Sequence, residues 1–205
     1  MVLMIIYTFR HYSISTKAKK EAFNDSIVKN ICNGHNRPVE PLLINTLKKM
    51  RSLGVVVLSS LTAIDLGIGC GIETEYLLNE GHFVIAIDEQ SAFLRHLVSK
   101  HKILPKRSQL LTLESKFEDI DWAKLPQVDM VLAFYSLTGN LVESFPHMWK
   151  SIVNRIKSGG FFVGQLKAAQ KNELLQILKD FNIHYIKEEG DKDNHMYSII
   201  AQKNA

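Results

Sequence analysis

The sequence predicts an α/β fold: a three-layer α/β/α sandwich on a seven-stranded, mostly parallel sheet that closes with an antiparallel C-terminal hairpin, preceded by an N-terminal helical cap. Three observations predict it. From Leu61 onward, apolar strand-length runs alternate with helical patterns, as a parallel sheet covered on both faces requires. Only Gly190-Asp191-Lys192-Asp193-Asn194 separates the last two runs, too little chain for a parallel crossover, so those strands must form a hairpin. At 205 residues and 46% hydrophobic, the chain is ample for one α/β domain and short for two. The expected division is a cap over residues 1–60 and a main domain over 61–205, within one structural unit.

Met1 to Phe9 is apolar but lacks a basic flank, a small-residue cleavage site and the length of a membrane span, so it reads as a short strand or a docking arm. Ser13 to Asn30 has helical spacing at Ala18, Ala22, Ile27 and Val28. Arg37-Pro38-Val39-Glu40-Pro41 then restarts the chain into an amphipathic helix from Leu42 that should stop near Gly54. Val55 to Leu58 is either the tail of that helix or an approach to the first strand. The expected strands are Leu61 to Asp65, His82 to Asp88, Leu110 to Ser115, Val128 to Ser136, Gly160 to Leu166, Asn182 to Glu188 and Met196 to Gln202. Between them, helices are expected over Ile72 to Asn79, ending at Gly81, then Gln90 to Lys100, Pro146 to Lys157 and Ala168 to Phe181. Asn140 and Glu143 have capping-box spacing ahead of Pro146, and Gly159-Gly160 reads as the end of the helix that follows.

The net charge of +4 is unevenly spread: residues 1–54 hold nine Lys/Arg against three Asp/Glu, while residues 55–205 are slightly acidic. A basic N-terminal segment could attract RNA or an acidic substrate. No aromatics interleave with its lysines as a stacking platform would need, which favours a solvated helical face over a nucleic-acid surface. Cys32 and Cys70 are far apart and lack metal-type spacing, so neither a disulfide nor a metal site is expected, and a reducing, cytoplasmic setting follows. No stretch is long and apolar enough to cross a bilayer, so no membrane partner is expected. Oligomeric state is not legible.

The chemistry centres on Asp65-Leu66-Gly67-Ile68-Gly69-Cys70-Gly71, where an apolar strand ends in an acid and opens into a loop with glycine at alternate positions. Glycine permits backbone angles barred to other residues and leaves no β-carbon between main chain and ligand. A second strand ends in Asp88, whose carboxylate can accept from both hydroxyls of a ribose. The nicotinamide fingerprint Gly-x-Gly-x-x-Gly fails, because position 72 is isoleucine. Asp65 also stands where a pyrophosphate would be repelled.

These residues, Asp65 to Gly71 with Asp88, resemble the first two motifs of the class I S-adenosylmethionine-dependent methyltransferases, whose fold is Rossmann-like, and the likeness extends over roughly residues 61 to 205. The resemblance implies that Gly67, Gly69 and Gly71 lie against the methionine portion and sugar of S-adenosylmethionine. It implies further that Asp65 holds the ammonium directly or through water, and that Asp88 holds the ribose, with Glu89 and Gln90 beside the adenine. S-adenosylhomocysteine would be the product. After the third strand the family commonly carries an acid, and here Lys116 takes that place. A lysine cannot accept from the adenine amino group, so either Glu118 or Asp119 serves or backbone contacts suffice. Phe117 either covers the ring or belongs to the core. Ala133, Phe134 and Tyr135 should reach the carboxyl edge of the sheet beside the sulfonium.

Ala133-Phe134-Tyr135-Ser136 lacks the Asn/Asp-Pro-Pro-Tyr/Phe of methylases that act on amino nitrogens of DNA bases or glutamine, and no Pro-Cys pair exists for cytosine carbon methylation. Methyl transfer is an in-line displacement, for which alignment and desolvation supply most of the rate, so a general base is optional. Tyr135, His147 and, from the cap, His11 and Tyr12 are the catalytic candidates. Each residue type is commoner in core, cap or surface roles. The leading reading is methylation of a small molecule, to whose general and tellurite-resistance-like enzymes the C-terminal half is similar; the alternatives are methylation of RNA or protein docked on the basic segment, and non-catalytic binding.

Overall fold

The structure is a computed structural model describing residues 20–34, 37–55, 60–100, 109–137, 145–167, 171–189 and 196–205. The expected N-terminal arm, His11, Tyr12, Val56 to Leu58, the Asn140/Glu143 capping box and the hairpin turn lie outside the described residues. Helix α1 covers residues 20–34 of these, and α2 (Pro41–Ser52) follows. The main alternation is β1 (Thr62–Leu66), α3 (Ile72–Asn79), β2 (Phe83–Asp88), α4 (Ser91–Lys100), β3 (Gln109–Glu114), β4 (Val128–Ala133), α5 (Phe145–Arg155), β5 (Ile156–Lys167), α6 (Lys171–Ile177), β6 (Phe181–Glu189) and β7 (Met196–Lys203). Two short 3-10 turns, Phe117–Asp119 and Trp122–Lys124, separate β3 from β4.

The sheet has seven strands in the order β3-β2-β1-β4-β5-β7-β6. The first five run parallel, and β7 pairs antiparallel with both β5 and β6, as the short final connection requires. Alternation along the central strands decides the layers, since successive side chains point to opposite faces. Ala63, Met130, Leu132, Phe161 and Val163 pack against α2 and α3, where Leu43, Met50, Leu77 and Leu78 are fully enclosed. The intervening Ile64, Val131, Ala133 and Phe162 pack on the other face with Trp149 and Ile152 of α5 and Leu174 of α6. The second helix of the expected cap is therefore a structural helix of the sandwich, seated on β5 and β7.

The larger departures from the expected boundaries fall at three places. The fourth strand stops at Ala133 rather than Ser136, because Tyr135 takes a left-handed φ of 58° that no strand accommodates. Gly159-Gly160 does not end α5. The helix gives way earlier, at Arg155, and Ile156 already pairs with Val128. The glycines sit inside β5, where the register with β4 is interrupted, and a side chain at Gly160 would lie 2.9 Å from the Asp129 carbonyl oxygen. Helix α6 (Lys171–Ile177) ends before the expected Phe181, which already belongs to β6, paired with Lys203.

Candidate cofactor and acceptor site

β1 and β4 are adjacent, yet the chain leaves β1 toward β2 on one side and returns to β4 on the other. The carboxyl ends of strands at such a reversal form the crevice where open α/β sheets bind ligands. The glycine loop lies there. Gly67, Gly69 and Gly71 have φ of 71°, 50° and 72°, so the alternation of glycines is a series of left-handed turns. A side chain at Gly67 would collide with Ser136, and one at Gly71 with Leu97. At Gly69 nothing lies within 4 Å, so that backbone is open to a ligand.

The two acids flank this loop, and both are buried. Asp88 accepts the Gly69 N–H on Oδ2 at 3.1 Å and the Gln90 N–H on Oδ1 at 2.9 Å. One lone pair on each oxygen stays available for a two-hydroxyl ligand. Burial raises its pKa against the opposing pull of those N–H donors. Asp65 accepts the Thr74 hydroxyl at 2.6 Å, and burial pushes its carboxyl up to about 7. A carboxylate so poorly solvated has a strong affinity for a cation that can be brought beside it.

Three cavities run along this edge. The first, about 720 Å³, is lined by Asp88, Glu89, Gln90, Phe93 and the segment Ser115 to Asp119. Through Gly67, Gly69 and Phe93 it shares walls with a second, about 540 Å³, which holds Asp65, Glu40, Arg37 and Glu73. Through Glu40 and Tyr135 that one meets a third, about 230 Å³, bounded also by Gln165, Tyr185 and Glu189. A separate groove of about 740 Å³ between α5 and α6 shares no lining residue with these three.

The structure thus brings Asp65, Gly67, Gly69, Asp88, Glu89, Gln90, Lys116, Phe117, Glu118, Phe134 and Tyr135 to the walls of the first two cavities. Lys116, Glu118 and Asp119 are all exposed there. Gly71 and Ala133 line none of the three: Gly71 starts α3 against Leu97, and Ala133 is enclosed at the end of β4. His147 is exposed on the first turn of α5 and lines none of them either.

The sequence reading missed Arg37, Glu40, Glu73 and Gln165. The Arg37 guanidinium grips both Glu73 oxygens at 2.7 and 2.8 Å, and Glu73 also accepts the Glu40 N–H at 3.1 Å. Glu40 in turn bonds the Tyr135 phenol, while Gln165 Oε1 accepts the Tyr135 N–H at 3.0 Å and holds the turn. Burial raises the Tyr135 pKa, and the charges of Glu40 and Glu189 add to it. The only sequence signal for Arg37 and Glu40 is the proline that follows each, Pro38 and Pro41, which restrains the backbone there.

Cys32 of α1 and Cys70 of the glycine loop form a disulfide, with Cα atoms 5.4 Å apart. This corrects the expectation of two unpaired thiols: α1 crosses the loop, a proximity that a separation of 38 residues does not announce. With the pair bonded, the cysteines no longer indicate a reducing setting. Among the described residues no helix is long and apolar enough to cross a membrane, and no cluster of His, Cys, Asp and Glu could hold a metal.

No family model and no curated protein matches the chain. Solved structures do. TehB from Haemophilus influenzae is 16% identical, with TM-score 0.61 over 78% of this chain and 62% of that one. Magnesium protoporphyrin IX methyltransferase from Synechocystis PCC 6803, solved with bound S-adenosylmethionine, is 13% identical, with TM-score 0.59 over 88% and 97%. The 1,6-didemethyltoxoflavin-N1-methyltransferase of Burkholderia thailandensis is 16% identical, with TM-score 0.57 over 81% and 80%. The chain has the Rossmann-like fold of the class I S-adenosylmethionine-dependent methyltransferases.

Proposed function

We propose that the protein is an S-adenosylmethionine-dependent methyltransferase acting on a small molecule. The observation that carries this reading is the pair of buried carboxylates, Asp65 and Asp88, each open to a different one of two joined cavities on either side of a glycine loop. The residues fit the cofactor. Asp88 has lone pairs for a ribose, Gly69 leaves room for close approach, and the second cavity sets three carboxylates, Asp65, Glu40 and Glu73, against one guanidinium. That excess of negative charge suits an ammonium and disfavours a pyrophosphate. When bound, S-adenosylmethionine supplies a methyl group on a positively charged sulfur.

Asp88 would then hold the sugar and Asp65 the amino group, with Phe117, which approaches Gly67, and Phe93 contributing apolar walls. Tyr135 stands between the second and third cavities and is our candidate for aligning the acceptor. Its phenol is tied to Glu40, a carboxylate able to take a proton released by an acceptor nitrogen or oxygen. The small volume of the third cavity favours a compact acceptor over a polymer, since pockets for drug-sized ligands span roughly 300–1,000 Å³. Isothermal titration with S-adenosylmethionine and S-adenosylhomocysteine tests the reading: binding that Asp65→Asn and Asp88→Ala both weaken supports it, and absence of binding refutes it.

A further inference from the structure

The cap helix and the glycine loop are joined by a covalent bond that the proposed chemistry does not use. Cys70 stands between Gly69, whose N–H bonds Asp88, and Gly71, which starts α3. Its partner Cys32 follows Ile31, and Ile31 and Cys70 both line the second cavity. The bond therefore fixes a wall of that cavity and the loop at its floor together. The other described attachments of α1 are few. Val28 is its one buried side chain among the described residues. Asp25 accepts from Arg95 Nε and Nη2 at 2.8 to 3.3 Å, with the charge of Glu21 beside the same guanidinium, on a largely solvated surface where screening limits what such pairs contribute. Phe23, Ile27 and Ile31, on one stripe of the helix, are 65, 41 and 46% exposed, so this apolar face adds little to its seating. Both cysteines are only partly buried, within reach of a small thiol.

We propose that Cys32–Cys70 is a redox latch: oxidised, it holds α1 over the second cavity and fixes the glycine loop, and reduction by a small dithiol releases both. A thiolate of the reductant attacks one sulfur and displaces the other as a thiolate. The reductant's second thiol then resolves the mixed disulfide, so two electrons and two protons pass to the cysteine pair and the reductant leaves as its own disulfide. Released, α1 no longer supplies Ile31 to the cavity wall, and the loop loses preorganisation that a ligand must then restore. The consequence for ligand affinity rests on the cofactor reading above, whereas release of the helix does not.

Hydrogen-exchange mass spectrometry on the full chain, oxidised and after treatment with dithiothreitol, tests the latch directly. Exchange over residues 20–34 should become at least tenfold faster on reduction while β4 and β5 stay protected. Cys32→Ser should exchange like the reduced protein and ignore the reductant. Unchanged exchange in α1, with both thiols shown free by alkylation, would overturn the latch. Titration of both redox forms with S-adenosylhomocysteine should show about tenfold weaker binding to the reduced one. Equal affinity despite a released helix would overturn its control of the cavity. Release of α1 with no binding by either form would leave the latch standing and remove the cofactor reading instead.

Discussion

The Thr74 hydroxyl donates to Asp65 Oδ2 at 2.6 Å inside the protein, tying the end of β1 to the first turn of α3. Burial wins over that hydrogen bond and lifts the Asp65 pKa from 3.8 to about 7. Binding of an ammonium beside Asp65 requires its ionised form. Affinity for S-adenosylhomocysteine should therefore rise from pH 5 to about pH 7 and level off above, with up to one proton released on binding below pH 7. Calorimetry in buffers of different ionisation enthalpy reads that proton, and an unchanged affinity across this range would remove Asp65 from the site.

The same carboxyl costs stability. Because its folded pKa lies above its unfolded one, the cost is absent below pH 3.8, grows as pH rises, and is complete above about pH 7. Its size is on the order of 4 kcal/mol, from about 1.4 kcal/mol per pKa unit. Asp65→Asn can still accept from Thr74 and carries no charge. It should raise the urea midpoint of the ligand-free protein at pH 8, leave it little changed at pH 4, and weaken ligand binding at least tenfold.

Arg37 and Glu73 act as a unit, since the guanidinium neutralises an almost fully buried carboxylate on α3. Arg37→Met would strand that charge and should destabilise by about 2 kcal/mol, less than for a fully buried pair because Arg37 is 35% exposed. Adding Glu73→Gln should recover part of the loss. Urea unfolding of the single and double variants measures both effects.

Tyr135 is the one described residue other than glycine with a positive φ, and it is 53% exposed at the junction of two cavities. Left-handed backbone costs such a residue about 1 kcal/mol. Tyr135→Gly should therefore unfold at higher urea by up to that amount, and under the proposed function methyl transfer should fall at least tenfold. Tyr135→Phe keeps the ring and loses the Glu40 bond, so it separates ring packing from the phenol. Stabilisation without loss of turnover would make the strain incidental to function.

What the sequence showed and what it hid divide by range of contact. The β1 to β2 segment was legible almost to the residue, α3 and Gly81 included, because periodicity, acids at strand ends and left-handed glycines are written in neighbouring positions. That both faces of the sheet are covered followed from the alternation of strand and helix patterns after Leu61. The Cys32–Cys70 bond and the Arg37–Glu73 pair join residues 38 and 36 positions apart, and nothing local names either residue's partner. Tyr135 continues an apolar run that reads as strand. Its turn is held by Gln165 from β5, a contact that exists only once the sheet has formed.

The most direct test of the cofactor reading is calorimetric titration of S-adenosylhomocysteine into the oxidised wild-type protein, Asp88→Asn and Asp88→Ala. Asp88 lines the first cavity, and each of its oxygens accepts one backbone N–H, which leaves each with further accepting capacity. Measurable binding by the wild type, weakened at least tenfold in both variants with the fold retained, is the expected result. No binding by the wild type, or affinity unmoved by either substitution, would contradict it.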